Sequence, residues 1–264
     1  MPEEGARVDH YGDGAWYDAE YVHIRADIPL YRQIAKAARG PILELACGTG
    51  RLSFPMAEAG ARVVGVDAAL PMLERARART REVSLLVGAR LEWVEGDMRS
   101  IRLGRRFDRV ILGFNTLLHM LEDADLEATL VTAREHLAPG GRFHLDLFTP
   151  PEMGAPRDPE GRFDPQQMFD PVTRQRWIVT ENNRYDPRTQ INHMRFYYRR
   201  ADAEGQPVGP ERVAEIPLRV IYPRELDSWL ARTGLRVVAE HEDFERSRPY
   251  TAQAGLRVLE LEAF

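Results

Sequence analysis

The sequence predicts an α/β fold: a doubly wound, mostly parallel seven-stranded sheet with an antiparallel β insertion after the fifth strand. Three observations carry this. From Pro41 to Phe148, short apolar runs alternate with helical patterns, the rhythm of a parallel sheet covered on both faces. The C-terminal ends of those runs collect glycines and polar residues, where open α/β sheets meet their ligands. After Thr149-Pro150-Pro151 the rhythm stops and longer alternating runs take over.

Taken in order, residues Tyr11 to Arg39 are rich in aromatics, and Ile24, Ile28, Tyr31, Ile34 and Ala35 share one helical face. Gly40-Pro41 breaks that helix. Ile42–Ala46 reads as the first strand, Leu52–Ala59 as a helix ended by Gly60, and Arg62–Asp67 as the second strand. Pro71–Arg81 is the next helix, with Pro71 suited to its first turn. Leu91–Glu95 and Phe107–Gly113 are the third and fourth strands. Asp123–Leu137 is a helix closed by Ala138-Pro139-Gly140-Gly141, and Arg142–Phe148 is the fifth strand.

Glu152–Pro171, rich in Pro and Gly and poor in aliphatics, reads as an irregular excursion. Gln175–Tyr185 and Gln190–Arg200 are two strands joined through Asp186-Pro187-Arg188-Thr189. Arg212–Tyr222 is a third, which Pro217 places at an edge or a bulge. Pro223–Thr233 is a helix with Gly234 at its end. Leu235–Glu242 and Leu256–Leu261 pair as a hairpin at the sheet edge. The expected organisation is therefore a helical segment with a ligand-binding part (1–150), an antiparallel insertion or lid (151–222) and a return to the first domain (223–264).

A chain of 264 residues, 44% hydrophobic, suffices for one large domain or one domain with an elaboration. The net charge of -5 argues against a nucleic-acid partner, which calls for a basic face. No apolar run is long enough to span a membrane. The polar, acidic start Met1-Pro2-Glu3-Glu4-Gly5 is unlike a secretory leader, so the expected location is cytoplasmic. The single cysteine, Cys47, rules out an internal disulfide and reads as a small residue in a crowded turn rather than a nucleophile. No metal site is expected.

Four features fall at strand ends: Glu44 with Gly48-Thr49-Gly50, then Asp67, then Asp97-Met98, then Phe114-Asn115. Glycines there let backbone pass close to a ligand. Glu44 would repel a phosphate and suits a cationic group. Asp67 can accept from both hydroxyls of a ribose, or act as a turn residue. Asp97 can accept from an exocyclic amine, or close a turn after Gly96. A dinucleotide site asks for a third glycine, and Ser53 stands in its place.

These residues resemble those of class I S-adenosylmethionine-dependent methyltransferases, a Rossmann-like family. The matching runs are Leu43–Gly50, Val64–Asp67, Glu95–Arg99, Phe107–Phe114 and Leu137–Leu147. Ala46 departs from the pattern, where the family more often has glycine. The resemblance implies that Glu44 holds the methionine amino group and that Gly48 and Gly50 pass under the methionine and ribose. It implies Asp67 on the ribose, Asp97 and Met98 on the adenine, and Phe114 in backbone contact near the sulfonium. Ala46, Ala68 and Met72 complete the implied S-adenosylmethionine-binding set.

The insertion resembles that of the small-molecule branch, which includes glycine N-methyltransferases and aminosugar N,N-dimethyltransferases. The local matches are Tyr17-Asp18-Ala19-Glu20-Tyr21 and His119. His119 is then a polar group facing the acceptor, or a structural cap. Tyr17 and Tyr21 contact the methionine end or the acceptor, or pack in the core. Arg219, Tyr222 and Tyr250 are candidates for the mouth of the site. Tyr185, Phe196, Tyr197 and Tyr198 form a pocket wall, an exposed strand face or a homodimer contact. The expectation is methyl transfer to an N or O atom of a small molecule. The alternatives are an RNA or protein methyltransferase and a non-catalytic S-adenosylmethionine-binding protein.

Overall fold

The computed structural model describes residues 6–149, 158 and 160–264. In chain order the elements are β1 (Ala6–Arg7), α1 (Gly14–Glu20), α2 (Ile28–Ala37), β2 (Ile42–Leu45), α3 (Ser53–Glu58), β3 (Val63–Asp67), α4 (Leu70–Thr80) and α5 (Leu85–Gly88). There follow β4 (Leu91–Glu95), β5 (Phe107–Leu112), a 3-10 turn (Thr116–His119), α6 (Asp123–Glu135) and β6 (Leu137–Phe148). The last are β7 (Phe163–Asp170), β8 (Gln175–Asp186), β9 (Ile191–Ala201), β10 (Pro207–Arg219), α7 (Pro223–Arg232), β11 (Leu235–His241) and β12 (Leu256–Ala263). They divide into two compact units: the described residues within Arg25–Pro151 and Val220–Phe264, and those within Met1–Ile24 and Glu152–Arg219.

The first unit holds a seven-stranded sheet in the order β11-β12-β6-β5-β2-β3-β4. β2, β3, β4, β5 and the start of β6 run parallel, and β12 and β11 add antiparallel at the edge. This is the predicted α/β architecture. The central strands are apolar because both faces are covered: Ile42, Leu43, Val63, Val66, Val110, Ile111 and Leu112 are almost wholly buried. On one face α2 lays Leu30, Tyr31, Ile34 and Ala35 against Ile42, Val63, Ile111 and Val258. β2 ends where Ala46 turns to a positive φ of 52°.

The run Ala138-Pro139-Gly140-Gly141 is not a connection before a strand but the bulged opening of β6. Phe107 pairs with Leu137, and the register shifts before Arg109 meets Arg142. A Cβ at Gly141 would stand 2.9 Å from the Ala138 carbonyl and 3.0 Å from that of Phe107, so glycine permits the pairing.

The second unit is a five-stranded sheet, β1-β10-β9-β8-β7, antiparallel except for the short parallel pairing of β1 with Arg212 and Val213. Its core is Met168, Trp177, Val179, Tyr198 and Ala214, with Trp16, Ala19 and Phe196 packed on it. Pro217 pairs with His193 on one side, and β1 does not reach it on the other. The missing N–H is therefore harmless there.

Three expectations change. The excursion contains a strand, β7, whose Met168 and Asp170 turn inward while its neighbours face out. Pro165 and the short alternation masked it, and residues 152–157 and 159 of the excursion lie outside the described set, as do 150–151 and the start 1–5. The N-terminal helical stretch is two helices. Asp13 caps α1, its carboxylate accepting from the N–H groups of Ala15 and Trp16 at 2.9 and 3.1 Å. Pro29 opens α2, so Ile24 lies outside it. Residues 6–24 pack with the second sheet through Trp16 and Ala19, whereas the sequence grouped them with the first. No helix among the described residues is long and apolar enough to cross a membrane.

Candidate functional site

The ends of the parallel strands and the turns after them carry Glu44, Ala46, Gly48, Gly50, Asp67, Ala68, Asp97, Met98 and Phe114. The loop after β2 carries positive φ at Ala46 (52°), Gly48 (56°) and Gly50 (82°). A Cβ on Gly50 would stand 2.7 Å from Trp93 and 2.8 Å from Phe54, whereas one on Gly48 would meet nothing within 4 Å. One glycine is packed and the other faces open space. The Thr49 carbonyl accepts from the Arg79 guanidinium at 2.9 Å. The Cys47 thiol is buried, and burial pushes its ionisation up, so it stays a neutral packing group.

Glu44 is 4% exposed and its carboxylate accepts from the Ser53 hydroxyl. Burial lifts it to about 8, against the opposing pull of Ser53 and Arg51. Asp67, at the end of β3, accepts from the Gly48 N–H at 2.7 Å and the Ala69 N–H at 2.8 Å. It thereby ties the glycine loop to the neighbouring strand. Burial raises its pKa while those N–H groups oppose the rise.

Asp97 is placed differently from Glu44 and Asp67. Its carboxylate is gripped by Arg99 through Nε and Nη2, the closest contact 2.6 Å, which holds it below the usual carboxylate range. Arg99 also reaches Asp125 at 2.9 Å. Any amine on Asp97 would share it with a guanidinium. Ala68 is exposed, Met98 is half-buried and Met72 is buried within α4.

After β5 the chain turns through Phe114 and Asn115, both with positive φ (59° and 61°), into the 3-10 turn that ends at His119. Burial lowers His119 to about 4, so its ring is neutral near pH 7. The Phe114 N–H donates to Asp146 at 2.8 Å, so backbone contact from Phe114 to a ligand falls to its carbonyl.

Tyr17 and Tyr21 belong to the second unit. Their rings lie 4.6 Å apart, and the Tyr21 hydroxyl pairs with the His10 ring at 3.1 Å. The Tyr198 hydroxyl donates to the buried Glu20, which burial lifts to about 7. Tyr197 and Tyr198 are buried in that unit, with Arg162 stacked 3.5 Å over the Tyr197 ring. Arg219 is buried, Tyr222 is exposed, and the Tyr250 ring lies under Arg257.

Sequence reasoning missed Asp27, Tyr31, Arg51, Ser53 and Asp146. Arg51 binds Asp27 through two nitrogens and covers the Phe114 ring at 4.2 Å. Tyr31 donates to Asp146. A signal existed: Asp146 stands between Leu145 and Leu147 in a strand read as central, where a buried acid needs a partner. The edge thus concentrates the buried carboxylates of Asp27, Glu44 and Asp146 with half-buried Asp67, offset by Arg51. Such an edge favours a ligand that brings positive charge.

Residues 42–141 match the family profile described as a methyltransferase domain. Over 112 residues the chain is 40% identical to a cypemycin N-terminal methyltransferase from a Streptomyces species, covering 42% of this chain and 43% of that one. Over 147 residues it is 32% identical to a dTDP-3-amino-3,6-dideoxy-alpha-D-glucopyranose N,N-dimethyltransferase from Streptomyces fradiae, covering 56% and 53%. The chain spans about half the length of these curated relatives. Among solved structures, the CcbJ methyltransferase from Streptomyces caelestis matches with a TM-score of 0.75 at 27% identity, over 97% of this chain and 98% of that chain.

Proposed function

We propose that this chain, which carries a methyltransferase domain across residues 42–141, is an S-adenosylmethionine-dependent methyltransferase acting on an N or O atom of a small molecule. The acidic edge around an open glycine supports this most directly. Gly48 leaves room for a ligand against the loop, and the buried Glu44 and half-buried Asp67 beside it offer carboxylates that a cationic ligand would draw into their charged form. A ligand with an ammonium and a sulfonium fits that donor set; pyrophosphate does not.

When bound, S-adenosylmethionine supplies an electrophilic methyl group on a good leaving group. Glu44 would hold the ammonium, with Ser53 fixing the carboxylate's orientation. Ala46, Gly48 and Gly50 would form the floor, Asp67 would take the ribose hydroxyls, and Ala68 and Met72 would flank them. Asp97 and Met98 would meet the adenine, and Phe114 would border the reacting end. Alignment and exclusion of water supply much of the rate in such a transfer.

His119, neutral near pH 7, would accept a hydrogen bond from an N–H or O–H of the acceptor. An amine attacks through its own lone pair, so a base is needed only to discard a proton. A second reading, methylation of a peptide α-amine, is favoured by the identity with the cypemycin N-terminal enzyme. The acidic balance fits small molecules better than nucleic acid, and a cytoplasmic homodimer is the proposed setting.

Calorimetry with S-adenosylhomocysteine tests the cofactor assignment: micromolar binding is expected, and none at millimolar ligand sinks it. Transfer of radiolabelled methyl to dTDP-aminosugars or to peptides with free N-termini then separates the two acceptor classes.

A further inference from the structure

The two left-handed residues after β5, Phe114 and Asn115, need something to hold them. A non-glycine side chain is strained there, Phe114 more than Asn115. We infer that Asp146, with Tyr31, is a positioning residue that fixes the Phe114 turn at the reacting end of the cofactor site, an inference that rests on the methyltransferase function proposed above.

Four contacts meet at this turn. Asp146 Oδ2 accepts from the Phe114 N–H at 2.8 Å. The other oxygen, Oδ1, accepts from the Tyr31 hydroxyl of α2. Asn115 Oδ1 accepts from the Phe148 N–H at 2.6 Å, so the next residue is anchored to the same strand, β6. Arg51, clamped by Asp27, covers the Phe114 ring from the side of the glycine loop.

The fit is tight. A Cβ at Gly113 would lie 2.9 Å from the Tyr31 hydroxyl and 3.1 Å from Asp146 Oδ1. The pair is pressed against a turn sized for glycine. α2 therefore reaches Phe114 twice: from its first end through Asp27 and Arg51, and from its middle through Tyr31 and Asp146. Asp146 is 1% exposed, a costly place for an acid, and an apolar residue there would remove both the cost and the grip on Phe114. Around it face Tyr31 and Asp27 from α2, Arg51 from the loop and the Phe114 N–H from the turn. Burial lifts it to about 6, so its hold is lost in mild acid.

The test is S-adenosylhomocysteine affinity, measured by calorimetry well below the melting temperature of each variant, with circular dichroism to show that each is folded. Asp146→Asn is expected to weaken binding by about 10- to 100-fold and Tyr31→Phe by about 3- to 10-fold. The double variant should be no weaker than Asp146→Asn by more than about twofold, because both act through one hold. Wild-type affinity should also fall more steeply below pH 6 than that of Asp146→Asn, the two sharing the shallower fall that comes from the Glu44 proton. Affinity unchanged within about twofold in Asp146→Asn, or strictly additive losses, overturns the inference. Should Asp146→Asn not fold, Tyr31→Phe decides by the same criterion. A wild type that binds nothing overturns the proposed function instead.

Discussion

Arg51 grips Asp27 through two nitrogens, at 2.8 and 2.6 Å, and the acid is only 2% exposed. The pair joins the glycine loop to the start of α2. Breaking a buried pair from one side leaves a desolvated charge behind. Asp27→Ala is expected to lower stability by about 3 kcal/mol, read from denaturant unfolding. Replacing both residues together by apolar ones should recover much of that loss; a double variant as unstable as the single would contradict the pairing.

The two loop glycines should fail in different ways. Gly50→Ala drives a methyl into Trp93 and Phe54 at 2.7 and 2.8 Å. It is expected to cost about 2–3 kcal/mol of stability. Gly48→Ala meets no atom within 4 Å and pays only the backbone term of about 1 kcal/mol. Its damage should appear in S-adenosylhomocysteine affinity, where the methyl occupies the ligand's space. Thermal melts and calorimetry on both variants separate the two effects.

Ala46 sits at φ 52°, where an L side chain is strained. Ala46→Gly is expected to stabilise the protein by about 0.5–1 kcal/mol, the relief exceeding the entropy added to the unfolded chain. A lower melting temperature in this variant would show that the methyl packs usefully.

Glu44 gives the pH dependence. Its folded-state pKa, about 8, lies above its ordinary value of 4.5, so the folded state holds the extra proton. The contribution of this group is greatest below 4.5 and is lost as pH rises through 8. Unfolding measured between these limits should show a downward slope that flattens in Glu44→Gln. A cationic ligand should expel that proton, so the binding enthalpy near pH 7 should differ between buffers of different ionisation enthalpy.

The sheet was legible because Val63, Val64 and Val66, like Ile111 and Leu112, announce strands buried on both faces. The strand-end residues were legible because glycines and acids interrupt those apolar runs. What escaped was pairing. Asp97 reads as a ligand group, and the sequence does not tell that Arg99 two residues on turns back to share it. Asp146 lies in the fifth predicted strand, and its partner Tyr31 is far away in sequence. Periodicity reports which face a residue is on; it carries no record of what lies opposite. The second sheet hid β7 for a related reason. Its proline and single inward residues leave too little alternation to count.

The pairing of Ala6 and Arg7 with Arg212 and Val213 bears on how the chain is made. On the ribosome, the first residues emerge long before β10 exists. Trp16 must likewise wait for Trp177. The parallel sheet is also unfinished until β12, near the last residue, slots beside β6. Both sheets thus depend on pairings between segments far apart in sequence, and folding is expected to be slow beside that of a protein built on local contacts.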